Sequence, residues 1–369
     1  MHINLDLATI WLKNIYKARL RNDPQLLPMG ITWHATNRCN FRCGFCDDGR
    51  GNRYPDKKSY TMSTEEVRHV LSLARARVPL LYVTGGEPLI RKDLAEILRW
   101  AKEEARFRYI GLVTNGALLH RQEDLLAHID DLTISMHALD EQRGDAIYGA
   151  GPGSCRAVRE AVVRYSGLAR SLGYRFCVSC VVIPPRIQDA RDVLHFCIEN
   201  DIGYSVMPQS INPYPHPDLK DNPDYVALID EVLALKRRGG PIYGSSAYLR
   251  CIRDFSRFSC YPTAAPRIYP NGDLVYPCTP LGKVAGNLIR ASSFDEVLEE
   301  GIARHGRVPA CDSRCFAQCF IEISNAINCP AELLWENLRL IARGGKGRSP
   351  AARRSGATDT TARGRARAA

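Results

Sequence analysis

From Ile31 onward the chain alternates short apolar runs with amphipathic ones, and this alternation limits the folds open to it more than any other feature. The runs 31–36, 80–84, 109–114, 131–136, 176–183 and 203–207 have the length and β-branched content of strands, and the segments near 64–77, 92–105, 120–128, 154–171 and 188–200 carry helical spacing. Repeated βα units mean parallel strands joined by right-handed crossovers. At 369 residues the chain can bury a large core, as one big α/β domain or two of ordinary size. In barrels built this way the chemistry sits at the C-terminal ends of the strands, so functional residues are expected to follow them.

Directly after the first run comes Cys39-Asn40-Phe41-Arg42-Cys43-Gly44-Phe45-Cys46, three cysteines spaced C-x3-C-x2-C. Thiolates are the usual ligands of iron–sulfur clusters, and a four-iron cluster given only three keeps one iron open to an outside ligand. A disulfide with a spare thiol, or part of a zinc site, is the alternative reading. The second run leads into Gly85-Gly86-Glu87-Pro88. Two glycines let the backbone pass close to a ligand, Pro88 stiffens the exit, and Glu87 is left as an acceptor for a cation. The third and fourth runs end in Thr114-Asn115-Gly116 and Ser135-Met136-His137, each with polar side chains at a strand end.

With Phe45 directly before the third cysteine, the loop resembles the radical S-adenosylmethionine (SAM) superfamily, whose signature is C-x3-C-x-aromatic-C. The resemblance implies an α/β fold, a partial TIM-like (β/α)6 barrel with a small C-terminal cysteine-rich extension. It implies a [4Fe-4S] cluster on Cys39, Cys43 and Cys46, and SAM beside Phe45, Gly85, Gly86, Glu87 and Pro88, with Glu87 accepting from the methionine amino group. Asn115, Ser135 and His137 would face the methionyl and ribose parts, although the family's form has an acidic residue where His137 stands. SAM would chelate the open iron, and one electron from the reduced cluster would release methionine and a 5′-deoxyadenosyl radical able to take hydrogen from an unactivated carbon. A reductant such as ferredoxin or flavodoxin is implied as partner.

Beyond the proline-rich stretch 212–223 the cysteines crowd: Cys251, Cys260, Cys278, Cys311, Cys315, Cys319 and Cys329. An Asn271-Gly272 hairpin signal lies between Cys260 and Cys278 and would bring those two sulfurs together. This part resembles the SPASM or twitch extension of radical SAM enzymes, with Gly-x4-Cys altered to Gly272-x5-Cys278 and a later C-x2-C loosened to C-x3-C. It implies one or two auxiliary [4Fe-4S] clusters on Cys260, Cys278, Cys311, Cys315 and Cys319, with Cys329 a further candidate. Such extensions accompany peptide and protein maturation or sugar-alcohol oxidation, so the substrate is expected to be a peptide, a sugar or, in a transferase, a lipid or isoprenoid. An electron-transfer iron–sulfur protein without SAM chemistry and a zinc-stabilised binding module are the competing classes. Cys177 and Cys180 point to opposite faces of one strand and read as structural, as do Cys155 and Cys197.

The expected organisation is an N-terminal amphipathic helix and linker (1–29), a barrel (30–210), a proline-rich connector and helix (211–250), an auxiliary-cluster domain (251–342) and a disordered basic tail (343–369). Eight cations against Asp359 give that tail +7 of the net +10, leaving little charge elsewhere and no strong nucleic-acid signal. In the first segment Leu7, Trp11, Ile15 and Ala18 recur at helical spacing among Lys13, Lys17 and Arg19, which predicts packing on the barrel wall, with peripheral membrane contact as the alternative. No signal peptide or transmembrane segment is indicated, and 14 cysteines in 369 residues are too sparse for a secreted disulfide scaffold, so a cytoplasmic setting is expected.

Overall fold

The computed structural model describes residues 5–47, 52–57, 59–212, 214–308 and 315–342, with side chains from 7 to 336 within those ranges; Cys311 and the basic tail lie outside them. Helix α1 (Leu5–Ile15) runs into a π-turn (Tyr16–Leu20). The barrel follows as β1 (Ile31–His34), α2 (Thr64–Arg75), β2 (Leu80–Thr84), α3 (Leu94–Glu103), β3 (Tyr109–Thr114), β4 (Asp131–Ser135), α4 (Glu141–Tyr148), α5 (Ser154–Leu172), β5 (Arg175–Val182), α6 (Ile187–Glu199) and β6 (Gly203–Pro208). A small ladder of β7 (Ser210–Ile211) and β8 (Tyr214–Pro215) leads to α7 (Pro223–Arg238) and α8 (Ser246–Asp254). The remainder is β9 (Arg267–Ile268), β10 (Asp273–Val275), β11 (Val284–Asn287), α9 (Phe294–His305), α10 (Gln318–Asn328) and α11 (Pro330–Ala342).

Six parallel strands lie in the order β1 to β6, as the alternation predicts. The sheet does not stop at β1. β9 pairs parallel to it, Thr32 opposite Arg267, and β10 and β11 continue antiparallel, so the C-terminal hairpin extends the barrel sheet. Its turn is the one the Asn-Gly pair signals: Gly272 has φ +84, and Tyr269 N donates to Asp273 O at 2.9 Å.

Side chains alternate across each strand. Ile110, Leu112, Leu132, Ile134, Val178 and Val206 pack outward into the core shared with the helices, while Tyr82, Thr84, Thr133, Ser135, Ser179 and Ser205 line the interior, where Thr133 is in register with Cys177 and Ser179 with Ser205. At the base of the barrel Arg175 pairs with Asp131 at 2.9 Å and donates to the Tyr109 hydroxyl at 2.7 Å, plugging that end.

Two local expectations are corrected. The segment near 120–128 forms two 3-10 turns rather than an α-helix, because the Gln122 amide donates to Leu89 O and Arg91 O, each at 3.0 Å, and holds its own backbone out of helical geometry. Finally, α1 docks on α10 and the turn at Pro262–Ala264, where Trp11, Ile15 and Ala18 meet Leu26, Ala264 and Ile327 in a small separate core.

Candidate functional site

The cysteine loop leaves the end of β1 held from two sides. On one, Ala35 N donates to Thr84 O at 2.8 Å, Gly86 N to Thr36 O at 2.7 Å and Glu87 N to Arg38 O at 2.8 Å. On the other, Arg42 N donates to Tyr148 O at 2.8 Å, and the Phe41 ring lies 5.2 Å from that of Tyr148. Helix α4, which carries Tyr148 and which periodicity did not reveal, is therefore a platform for the loop. Arg53 adds a third tie, its guanidinium donating to Cys43 O at 3.2 Å.

All three thiols are half-buried. Burial, then the charges of Cys46 and Cys39, push Cys43 up to about 12, and burial with the charge of Cys39 pushes Cys46 up to about 11. Cys39 is raised by burial and, further down, by Glu87. Three thiols this close and this reluctant to ionise together are a donor set that becomes stable as thiolates only around positive charge. Among the described residues no three Cys, His, Asp or Glu side chains are close enough to hold a single ion. A four-iron cluster asks for a wider arrangement, since each sulfur binds its own iron. The loop fits that group.

The two glycines do what the sequence predicts, with a different neighbour. A Cβ on Gly85 would sit 2.4 Å from Thr36 O, and one on Gly86 2.3 Å from Arg38 O. The close approach is thus to the protein's own backbone, and it locks the Gly85–Pro88 turn to the cysteine loop.

Glu87 differs most from expectation. It is only 1 % exposed, and its carboxylate serves internal donors: Leu89 N at 3.0 Å and the Thr114 hydroxyl at 2.7 Å on Oε1, Asn115 N at 2.8 Å on Oε2. Burial raises its pKa against the pull of these bonds. A carboxylate so enclosed braces the ends of β2 and β3. Asn115 carries the brace onward, its Nδ2 donating to Asn40 Oδ1 at 2.8 Å within the cysteine loop.

Phe45 stands edge-on to His137, ring centroids 4.8 Å apart. His137 is buried, accepts from Val181 N at 3.1 Å through Nδ1 and is held down to about 3 by burial alone, so the ring is neutral with its proton on Nε2. Ser135 is half-buried at the end of β4, in register with Ser179. These three line the same mouth of the barrel as the cysteines.

The C-terminal cysteines fall toward the two ends of α10. Cys319 lies in its first turn, and burial, then the charges of Cys319 and Cys278, push Cys315 up to about 12. Cys329 caps the far end, about 15 Å along the helix axis from Cys319. The residues beside Cys260 bond those near that far end: Asn328 Nδ2 donates to Ser259 O at 2.8 Å and Tyr261 N to the Ser324 hydroxyl at 3.0 Å. Cys329 is too distant to share a cluster with Cys319, so of the one or two clusters expected, no single one would take both; Cys311 lies outside the described residues.

The start of α10 also closes the open side of the barrel. The Ser205 hydroxyl on β6 donates to Gln318 Oε1 at 3.0 Å, and Arg267 on β9 donates to Cys319 Sγ at 2.7 Å. Sequence spacing gave no signal for this closure, nor for His34, which is 2 % exposed, held down to about 3 by burial and the nearby Arg267 and Lys57, and packed against the rings of Tyr54 and Tyr269.

Residues 33–197 match the radical SAM superfamily. Among curated proteins, GTP 3′,8-cyclase of Aquifex aeolicus is 30% identical over 151 residues, 40% of this chain and 46% of that protein, so the match spans less than half of this relative. Among solved structures, Streptococcus suis SuiB bound to S-adenosylmethionine superposes with a TM-score of 0.60 at 19% identity, covering 86% of this chain and 77% of SuiB; SuiB bound to precursor peptide SuiA gives 0.59 at 20% identity, covering 86% and 76%. The enzyme anSMEcpe with bound AdoMet gives 0.57 at 16% identity, covering 84% and 99%. At these identities the structural likeness is one of fold.

Proposed function

We propose, from the match of residues 33–197 to the radical SAM superfamily, that this protein is an enzyme that cleaves SAM reductively at a [4Fe-4S] cluster on Cys39, Cys43 and Cys46 and acts on a peptide or protein substrate. The observation that carries the chemistry is the double anchoring of the three-cysteine loop, by the Gly85–Pro88 turn on one side and by Tyr148 of α4 on the other. When bound, the cluster and SAM supply a 5′-deoxyadenosyl radical that removes hydrogen from a substrate carbon.

The residues have separable tasks in this reading. Gly85 and Gly86 fix the height of the loop against β2. Glu87 aligns Asn115 and the turn beside the methionyl end of SAM, acting through its neighbours, and Phe45 with neutral His137 forms an apolar wall that excludes water next to the cysteines. The half-buried cation Arg267 would offset negative charge on the thiolates of an auxiliary cluster held by Cys278, Cys315 and Cys319, in a SPASM-like arrangement.

The interior wall carries the hydroxyls of Thr84, Ser135 and Ser179, which favours a hydrogen-bonding substrate over an isoprenoid chain, whose burial would leave those three unpaired. SuiB, which shares the fold, is bound to a precursor peptide in one structure. Incubating anaerobically reconstituted, reduced protein with SAM and looking for 5′-deoxyadenosine tests the chemistry. A mass change on a co-expressed candidate peptide, absent with the Cys39→Ala variant, tests the substrate.

A further inference from the structure

We propose that the outward face of α1 and its π-turn docks this protein on an anionic lipid surface. The helix has two apolar stripes. One, Trp11, Ile15 and Ala18, is covered by α10. The other, Leu12, Tyr16 and Leu20, recurs every four residues and stands 59%, 51% and 77% exposed.

The outer stripe belongs to a firmly held element. Trp11 Nε1 donates to Ala326 O at 2.8 Å, Arg19 Nε to Ile327 O at 3.3 Å, and Asn14 exchanges two hydrogen bonds with the Leu27 backbone at 2.8 and 2.9 Å. Scattered exposed leucines need no explanation, but large apolar side chains gathered on a rigid element do. Leu27 follows on the same segment at 37%, and Leu334 and Trp335 stand 43% and 57% exposed on α11, which also packs on α10.

Charge selects the occupant. Lys13 and Arg21 flank the stripe, both exposed and without an acidic partner among the described residues. Apolar side chains flanked by two unpaired cations match a bilayer rich in acidic headgroups. Among the described residues no helix is long and apolar enough to cross a membrane, so the contact is with its surface. The inference is independent of the radical chemistry, and the polar barrel interior means that docking sets where the protein works and not that it takes a hydrocarbon substrate.

Flotation of the full chain with vesicles of phosphatidylcholine, alone or with about one third phosphatidylglycerol, tests this. The protein should float with the acidic vesicles, at least about tenfold less with neutral ones, and lose about tenfold of its binding in both the Leu12→Ser/Leu20→Ser and the Lys13→Glu/Arg21→Glu variants. Neither pair supports the fold, so melting temperatures should stay near the parent's, and the charge variant keeps the test alive should the serine variant misfold. No flotation, or flotation untouched by both variants, overturns the proposal. So does a dimer that only the serine variant dissolves, which would assign the face to a second copy, or retention on nucleic acid in place of vesicles.

Discussion

Arg267 donates to Cys319 Sγ at 2.7 Å, joining the strand beside β1 to the first turn of the helix that closes the barrel. Arg267 is half-buried with its Nε enclosed, no carboxylate pairs with it among the described residues, and it also donates to the Thr279 hydroxyl at 3.3 Å. A guanidinium shielded from water needs an anion beside it, and the fold sets this one against Cys319, whose sulfur would carry negative charge as a ligand of an auxiliary cluster.

Removing that cation should therefore empty the auxiliary site. In a Cys39→Ala/Cys43→Ala/Cys46→Ala background the protein should retain about four irons per chain and its brown colour, and adding Arg267→Met should lower the iron to well under half of that. Unchanged iron in the Arg267→Met protein would show that the pair does not support a cluster.

Glu87→Ala removes the acceptor of three buried donors, Leu89 N, Asn115 N and the Thr114 hydroxyl. It should cost about 3 kcal/mol of stability, weaken SAM binding through the displaced Asn115, and leave the iron content intact. Chemical denaturation and equilibrium dialysis with labelled SAM measure both effects. Parent-like stability would contradict the bracing role.

Gly86→Ala puts a methyl 2.3 Å from the Arg38 carbonyl, a backbone atom tied down by Glu87 N. The clash falls between the two loops, and relieving it moves the cysteines. We expect a folded protein whose barrel cluster reconstitutes poorly; full iron loading with parent SAM turnover would remove the close packing from the account.

The buried histidines set an acid limit. His34 and His137 are both held down to about 3, whereas an unfolded histidine titrates near 6.5. As pH falls below about 6.5 the unfolded chain takes up protons that the folded chain refuses until near 3, so stability declines by up to about 1.4 kcal/mol per pH unit for each. Urea midpoints between pH 7 and pH 5 should fall accordingly, and His34→Phe should flatten the slope. A flat profile in the parent would mean that His34 and His137 titrate normally.

Much of this was legible beforehand because it rests on local pattern. Alternating runs gave six parallel strands to within about two residues at most ends, and the cysteine and glycine spacings marked the loops that meet at the barrel mouth. Tertiary relations were not. Nothing near Glu87 says that its carboxylate will turn inward to Asn115, because that depends on where β3 ends beside it. Helix α4 is short, with Gly144 in its interior packed against Cys155, so its apolar period is weak although it carries the cysteine loop. The auxiliary cysteines depend on tertiary structure in the same way: spacing left one or two clusters open, and the length of α10 sets Cys319 apart from Cys329.

The most direct test of the central claim is 5′-deoxyadenosine release. Anaerobically reconstituted protein given dithionite and SAM should form it, and the Cys39→Ala/Cys43→Ala/Cys46→Ala variant, still folded and still holding auxiliary iron, should not. Equal formation by parent and triple variant would contradict the assignment of the SAM-cleaving cluster to this loop.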